Sequence, residues 1–298
     1  MGPIQVMMKP NLKSLFMVFT VACLTACGSA GAPTAPLPAA TTTPQPVATA
    51  WNPSISISPS GEAAIALSPD VTLTMVRVPA GPFLMGSGDT ENDALAIEKP
   101  QTTLTLDEYY IGKYDVTNEQ YAAFTRATGR TWTMPLAKGQ FPVVNVAWKD
   151  AIAFCDWLGQ ATGRIVRLPS EAQWEKAARG TDGRKYPWGN EDPDAKRINF
   201  NNNVRGTTVV GQYSPQSDSP YGVSDMAGNV RNWTSSLLSA YPYRNDDGRE
   251  NLQVDEWRAV RGGGFISGGR GVRSANRESY SPTGKYDSIG FRIVMLPG

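Results

Sequence analysis

Three cysteines, Cys23, Cys27 and Cys155, are the only thiols in this 298-residue sequence, and histidine is absent from it. Those two facts bound the chemistry. Without imidazole there is no Ser-His-Asp or Cys-His catalytic unit, no zinc site built on His and no facial triad of two His and a carboxylate. A general base must then be a carboxylate, Lys, Tyr or Cys. Cys23 and Cys27 both fall in an N-terminal leader pattern, so Cys155 is the one thiol left to a folded domain. Neither an intramolecular disulfide nor dithiol chemistry follows from that. Glu171 and Glu175 form a carboxylate pair at i, i+4, but they open a helix whose N-terminal dipole favours acids. They read as structural partners of buried arginines such as Arg167 or Arg292. Lys and Arg number 28 against 27 Asp and Glu, a net of +1. That balance argues against a nucleic-acid footprint.

The elements that must position these residues begin with an export signal. Lys9 and Lys13 supply a positive region, and Ser14 to Ala26 is an apolar run too short to span a bilayer as a helix. Leu24-Thr25-Ala26-Cys27 then fits a lipobox, in which Cys27 is the lipidation site. Residues 1–27 are expected to be a lipoprotein signal peptide, and its loss, with Lys9 and Lys13, leaves a net charge of −1. Residues 28–64 read as a tether rich in Pro, Thr and Ala, with no charged residue between Lys13 and Glu62. Such a stretch prefers extended states. Trp51 and the alternating Ile55 and Ile57 are the exception, able to pack as a first strand. Residues 65–298 form one domain, large enough to fold without disulfides. The expected location is the bacterial cell envelope, outside the cytoplasm and lipid-anchored to the membrane, and the expected state is a monomer.

Within the domain, Leu73 to Val78 alternates as a strand, and Phe83 to Gly86 follows after a Pro-Ala-Gly-Pro break. Thr117-x-x-Gln120 and Ser170-x-x-Gln173 are capping boxes that start helices. Ala151, Phe154, Cys155 and Leu158 recur at helical spacing as one apolar stripe, which places Cys155 on a core face as an inert thiol. Gly180 stops the third helix. Beyond it the chain is mostly turns, with an Asn run at 201–203 and Gly262-Gly263-Gly264. Stretches of this kind need help from ions or side-chain hydrogen bonds.

Several blocks occur in an order shared with a known family. They include Val76-Arg77-Val78-Pro79-Ala80-Gly81-x-Phe83-x-Met85-Gly86, Tyr114-Asp115-Val116-Thr117-Asn118 and Arg167-Leu168-Pro169-Ser170-Glu171-Ala172-Gln173-Trp174-Glu175. Tyr186-Pro187-Trp188-Gly189, Asp225-Met226-Ala227-Gly228-Asn229-Val230-x-x-Trp233, Arg261-Gly262-Gly263, Arg273-x-Ala275-x-Arg277 and Gly290-Phe291-Arg292 continue the series. In these the chain resembles the formylglycine-generating-enzyme, or sulfatase-modifying-factor, domain family over about Val76 to Val294. The resemblance implies an α+β, C-type-lectin-like fold, turn-rich with few short helices and strands.

The same resemblance allows the family's sites to be checked one at a time. Its copper-dependent members oxidise a sulfatase cysteine with two active-site cysteines, a pair that suits Cu(I). Those would lie between Gly264 and Arg273, where this sequence has no Cys, so copper is not expected. Its sulfoxide-synthase branch needs three His, which are absent. A branch of periplasmic siderophore-tailoring proteins stays open. The family's structural calcium sites map to Asn199, the Phe200 carbonyl, Asn202 and the Val204 carbonyl, and to Asp225, the Gly228 and Val230 carbonyls and Asn232. Asn202 and Asn232 stand where the family has acids. The plain alternative is that the Asn run only builds turns. The block Arg261–Arg292 is similar to the ligand-binding face of lectin-fold variable proteins, with Phe265, Ile266, Arg270, Tyr280, Lys285, Tyr286 and Asp287 in the contact positions. Two functions follow. One is a surface-anchored module, with no catalytic residues, that binds a protein or glycan and holds structural calcium. The other is an extracytoplasmic oxidoreductase working without copper thiolates.

Overall fold

The computed structural model describes residues 52–298 apart from 134 and 136. The expected signal peptide, the expected lipidation site at Cys27 and the expected tether up to residue 51 lie outside the described residues. The folded unit starts earlier than the expected residue 65. Strand β1 (Ser54–Ile57) pairs antiparallel with β2 (Ala63–Ser68), so the C-terminal end of the 28–64 segment is sheet and not tether. Ile55 supplies the anchor, packing against the core, as the Ile55/Ile57 alternation allows.

A six-stranded sheet carries the first half of the domain. Its order is β1, β2, β3 (Val71–Val78), β6 (Tyr109–Gly112), β12 (Val294–Met295) and β7 (Val166–Arg167). A hairpin of β4 (Gly81–Met85) and β5 (Thr102–Leu106) stands apart as a two-stranded sheet. A second sheet, ordered β10 (Glu278–Tyr280), β9 (Arg258–Arg261), β8 (Arg231–Leu237), β11 (Ile289–Gly290), holds the C-terminal block. Strands are short, and the long connections between Arg179 and Arg231 are turns, as the sequence implies.

The three helices form where the sequence places them. Helix α1 (Asn118–Thr128) has both halves of the Thr117/Gln120 capping box, and α3 (Glu171–Arg179) has both halves of the Ser170/Gln173 box. Helix α2 (Trp148–Thr162) buries Ala151, Phe154, Cys155 and Leu158 on one stripe. Its stripe meets the first sheet and α1 in an aromatic cluster, where Phe154 lies edge-on to Phe124 at 5.5 Å and to Phe291 at 5.4 Å. Edge-to-face pairs of this kind add to the burial energy. Phe291 comes from the terminal Gly-Phe-Arg motif, so the end of the chain closes the core built near its start.

Candidate functional site

Helix α3 is the hub that holds the C-terminal sheet. All nine of its residues are buried, four of them charged. Glu171 accepts from Arg277 Nε at 2.8 Å and Nη2 at 2.5 Å, and Arg261 lies 3.5 Å away. Glu175 binds Arg261 and, at 2.9 Å, Arg179, while also accepting the Gly86 amide at 2.7 Å. Glu98 makes a two-pronged pair with Arg273, both bonds at 2.7 Å. Buried charges persist only when paired and hydrogen-bonded in this way. The two helix acids are therefore structural, but their partners differ from the sequence expectation. Arg167 is exposed, and Arg292 pairs with Asp115 at 3.1 Å.

Glycine allows the chain to turn sharply beside this network. A Cβ on Gly263 would sit 2.6 Å from the Gly271 carbonyl, at a φ of 66°. Only glycine fits there, and the turn folds the segment 264–272 back on itself. In that segment Ile266 and Arg270 are exposed, whereas Phe265 is buried. Lys285 and Asp287 are exposed, and Tyr280 and Tyr286 are half-buried and packed edge-to-face at 4.9 Å. Arg231 lies between the two loops. Its guanidinium sits 5.8 Å over the Tyr280 ring, its Nε bonds Glu278 at 3.0 Å, and its Nη1 lies 2.9 Å from the Cβ position of Gly264. Six of the seven expected contact residues thus reach the surface wholly or in part. Phe265 is turned inward as packing for the loop.

The two residue sets mapped to calcium differ in fit. Asn199 is buried, its Nδ2 donates to the Gly206 carbonyl at 2.8 Å, and its Oδ1 has no partner among the described residues. An orphaned buried acceptor suits a hard cation. Asn202, with a φ of 58°, and Val204 are exposed, and the Phe200 carbonyl accepts the Asn203 amide at 3.0 Å. In the second set Asn232 is committed elsewhere. Its Oδ1 accepts from Trp174 Nε1 at 2.9 Å and Arg292 Nε at 2.7 Å, and its Nδ2 donates to Asp115 at 2.6 Å. Both lone-pair directions of that oxygen are used, so Asn232 does not fit a cation. Asp225 is buried and accepts the Gly211 amide at 2.6 Å. Burial and the neighbouring Asp115 push it up to about 7.

Cys155 is 1% exposed in the centre of α2, and burial holds its thiol well above the ordinary range. Reactive cysteines are exposed and shifted the other way. Among the described residues it is the free cysteine, and it belongs to the apolar core and not to the loops of the C-terminal block.

A family model described as the sulfatase-modifying factor enzyme 1-like domain matches residues 64–296. The chain belongs to that family. A formylglycine-generating enzyme of Thermomonospora curvata is 28% identical over an alignment covering 76% of this chain and 95% of that protein. An inactive C-alpha-formylglycine-generating enzyme 2 of Bos taurus is also 28% identical, over 76% of this chain and 89% of it. Among solved structures, PvdO from Pseudomonas aeruginosa superposes with a TM-score of 0.67 at 25% identity, covering 81% of this chain and all of that one. The Treponema denticola variable protein 1 has a TM-score of 0.65 at 23% identity over 79% of this chain and 99% of its own, a likeness of fold. The mixed α/β architecture of curled sheets and few helices is accordingly the C-type-lectin-like fold of sulfatase-modifying factors.

One feature of this family member has no signal in the sequence. A groove of about 760 Å³ lies between β5, the start of α3 and the loop 243–252, with Ser235 of β8 also in its lining. Glu250 and Tyr243 are among its lining residues, and neither belongs to a motif.

Proposed function

We propose that this chain is a surface-anchored binding module of the sulfatase-modifying-factor family and not a copper-dependent formylglycine-generating oxidase. The observation that carries this reading is the fate of the thiols. The segment between Gly264 and Arg273 contains no cysteine, and Cys155 is locked in the core of α2. Copper coordination by two thiolates has no residues to use. Cys27 anchors the protein to the membrane by its lipid, and the Pro-rich segment holds the domain away from the cell envelope surface. The ligand is a protein or glycan. It meets Ile266, Arg270, Lys285 and Asp287, with the Tyr280–Tyr286 pair between them. Tyrosine and arginine suit recognition because they combine large contact area with polar tips. Calcium has a structural role at Asn199. The protein acts as a monomer and has no nucleic-acid partner.

Similarity to PvdO supports a second reading, an extracytoplasmic oxidoreductase that works without copper thiolates. The two readings differ in what the exposed loops do. The purified chain, screened on glycan arrays and against envelope-exposed proteins by biolayer interferometry, is expected to bind saturably. Replacing Ile266→Asp together with Arg270→Glu should abolish that binding while leaving Tm unchanged. Binding that survives the double change removes the module reading.

A further inference from the structure

We infer that the groove beside β5 is a second binding site, which takes an extended basic peptide as an added strand. Three observations converge on it. Strand β5 pairs with β4 alone, and the outer-edge N–H and C=O groups of Thr102–Leu106 have no hydrogen-bond partner among the described residues. An open edge of this kind is a template for strand addition. The groove of about 760 Å³ is continued by a smaller one of about 240 Å³, lined by Leu104, Thr105 and Leu106 together with the loop 243–246. Successive strand residues point to opposite faces. A trough that touches three in a row therefore runs along the edge of the strand and not over one face.

The third observation is charge. Glu250, half-buried, is one of the lining residues, and it accepts only from neutral donors: Ser235 at 2.5 Å, Tyr243 at 2.7 Å and Ser236. It makes no salt bridge among the described residues, although the buried Arg258 feels its charge. Asp107 at the rim is exposed and has no ion-pair partner either, whereas Glu108 and Asp246 are paired with Arg77 and Arg244. Arg167 is the unpaired cation on the wall. Among the lining residues Asp107 and Glu250, neither in a salt bridge, outnumber Arg167, and this excess selects a ligand with positive side chains. Leu106 and the exposed Leu252 offer apolar contact between them. A sugar's hydroxyls lack the regular spacing of the open backbone edge and carry no charge, whereas an extended peptide with basic side chains uses both edge and charge.

The test uses the full chain and fluorescein-labelled peptides read by anisotropy. A short peptide of repeated Lys-Thr-Val is expected to bind saturably. Its counterpart of repeated Glu-Thr-Val should bind at least about tenfold more weakly. Methylating alternate backbone nitrogens of the Lys peptide should abolish binding, which a merely electrostatic contact would not show. Glu250→Gln should weaken binding about tenfold. Asp107→Asn, at an exposed residue with no partner, should weaken it too and keeps the test valid where the Glu250 variant fails to fold. Ile266→Asp should change nothing here, which separates this site from the C-terminal loops. Equal binding of the two peptides, indifference to N-methylation, absence of binding to folded protein, or displacement by chitotriose would overturn the proposal.

Discussion

Asn199 shows how much one side chain carries. Its Nδ2 is satisfied and its Oδ1 is not. An unmet buried acceptor costs about 1–3 kcal/mol, which a bound calcium ion would offset. The surrounding turns were readable from residue type alone. Asn201 and Asn202 take positive φ, as Asn does more readily than other residues. The loss of Asn232 as a ligand was not readable, because it depends on Trp174 and Arg292 arriving from 58 and 60 residues away. We expect millimolar calcium to raise Tm measured by scanning calorimetry, and Asn199→Ala to remove that rise. A Tm unmoved by calcium in the parent chain contradicts a structural ion here.

At the scale of elements, the capping boxes and the apolar stripe of α2 were legible because their rules act within a few residues. Partners of the buried acids were not. Glu171 and Glu175 announce a buried role, but Arg277 and Arg261 reach them across 106 and 86 residues, and only the fold selects them over Arg167. Glu98 is another such clasp, joining the segment before β5 to Arg273. Burial pushes this carboxyl up. The hydrogen bonds and charge of Arg273, with the Ser87 hydroxyl, pull it down further and leave it below the ordinary carboxylate range. A folded value below the unfolded one gives stability that is present above about pH 4.5 and lost as pH falls through the folded value. Glu98→Gln should therefore lower the urea midpoint at pH 7 and flatten its decline between pH 5 and pH 3. An acid slope equal to that of the parent chain contradicts the clasp.

For the whole molecule, the family motifs gave away the fold because most of them sit where sheets, α3 and glycine turns meet. Arg261, Arg273, Arg277 and Arg292 are all fully buried. These motifs specify architecture, and a shared architecture does not fix function. The trough beside β5 escaped sequence reading for the opposite reason. It is assembled from the end of β5, the Arg167–Gln173 motif at β7 and α3, and the 243–252 loop, and no spacing in the sequence brings these three together. The early start of the folded unit was only half legible. Ile55 and Ile57 alternate as strand residues should, but β1 is fixed by the edge of β2, not by its own short sequence.

On the proposed function, this domain of the sulfatase-modifying-factor family works without copper thiolates. The most direct measurement incubates the purified chain with a sulfatase-type cysteine peptide, copper and oxygen, and looks for peptide aldehyde by mass spectrometry. No aldehyde is expected above the level of free copper, whether or not Cys155 is changed to Ser. Multiple-turnover formation of formylglycine would contradict it.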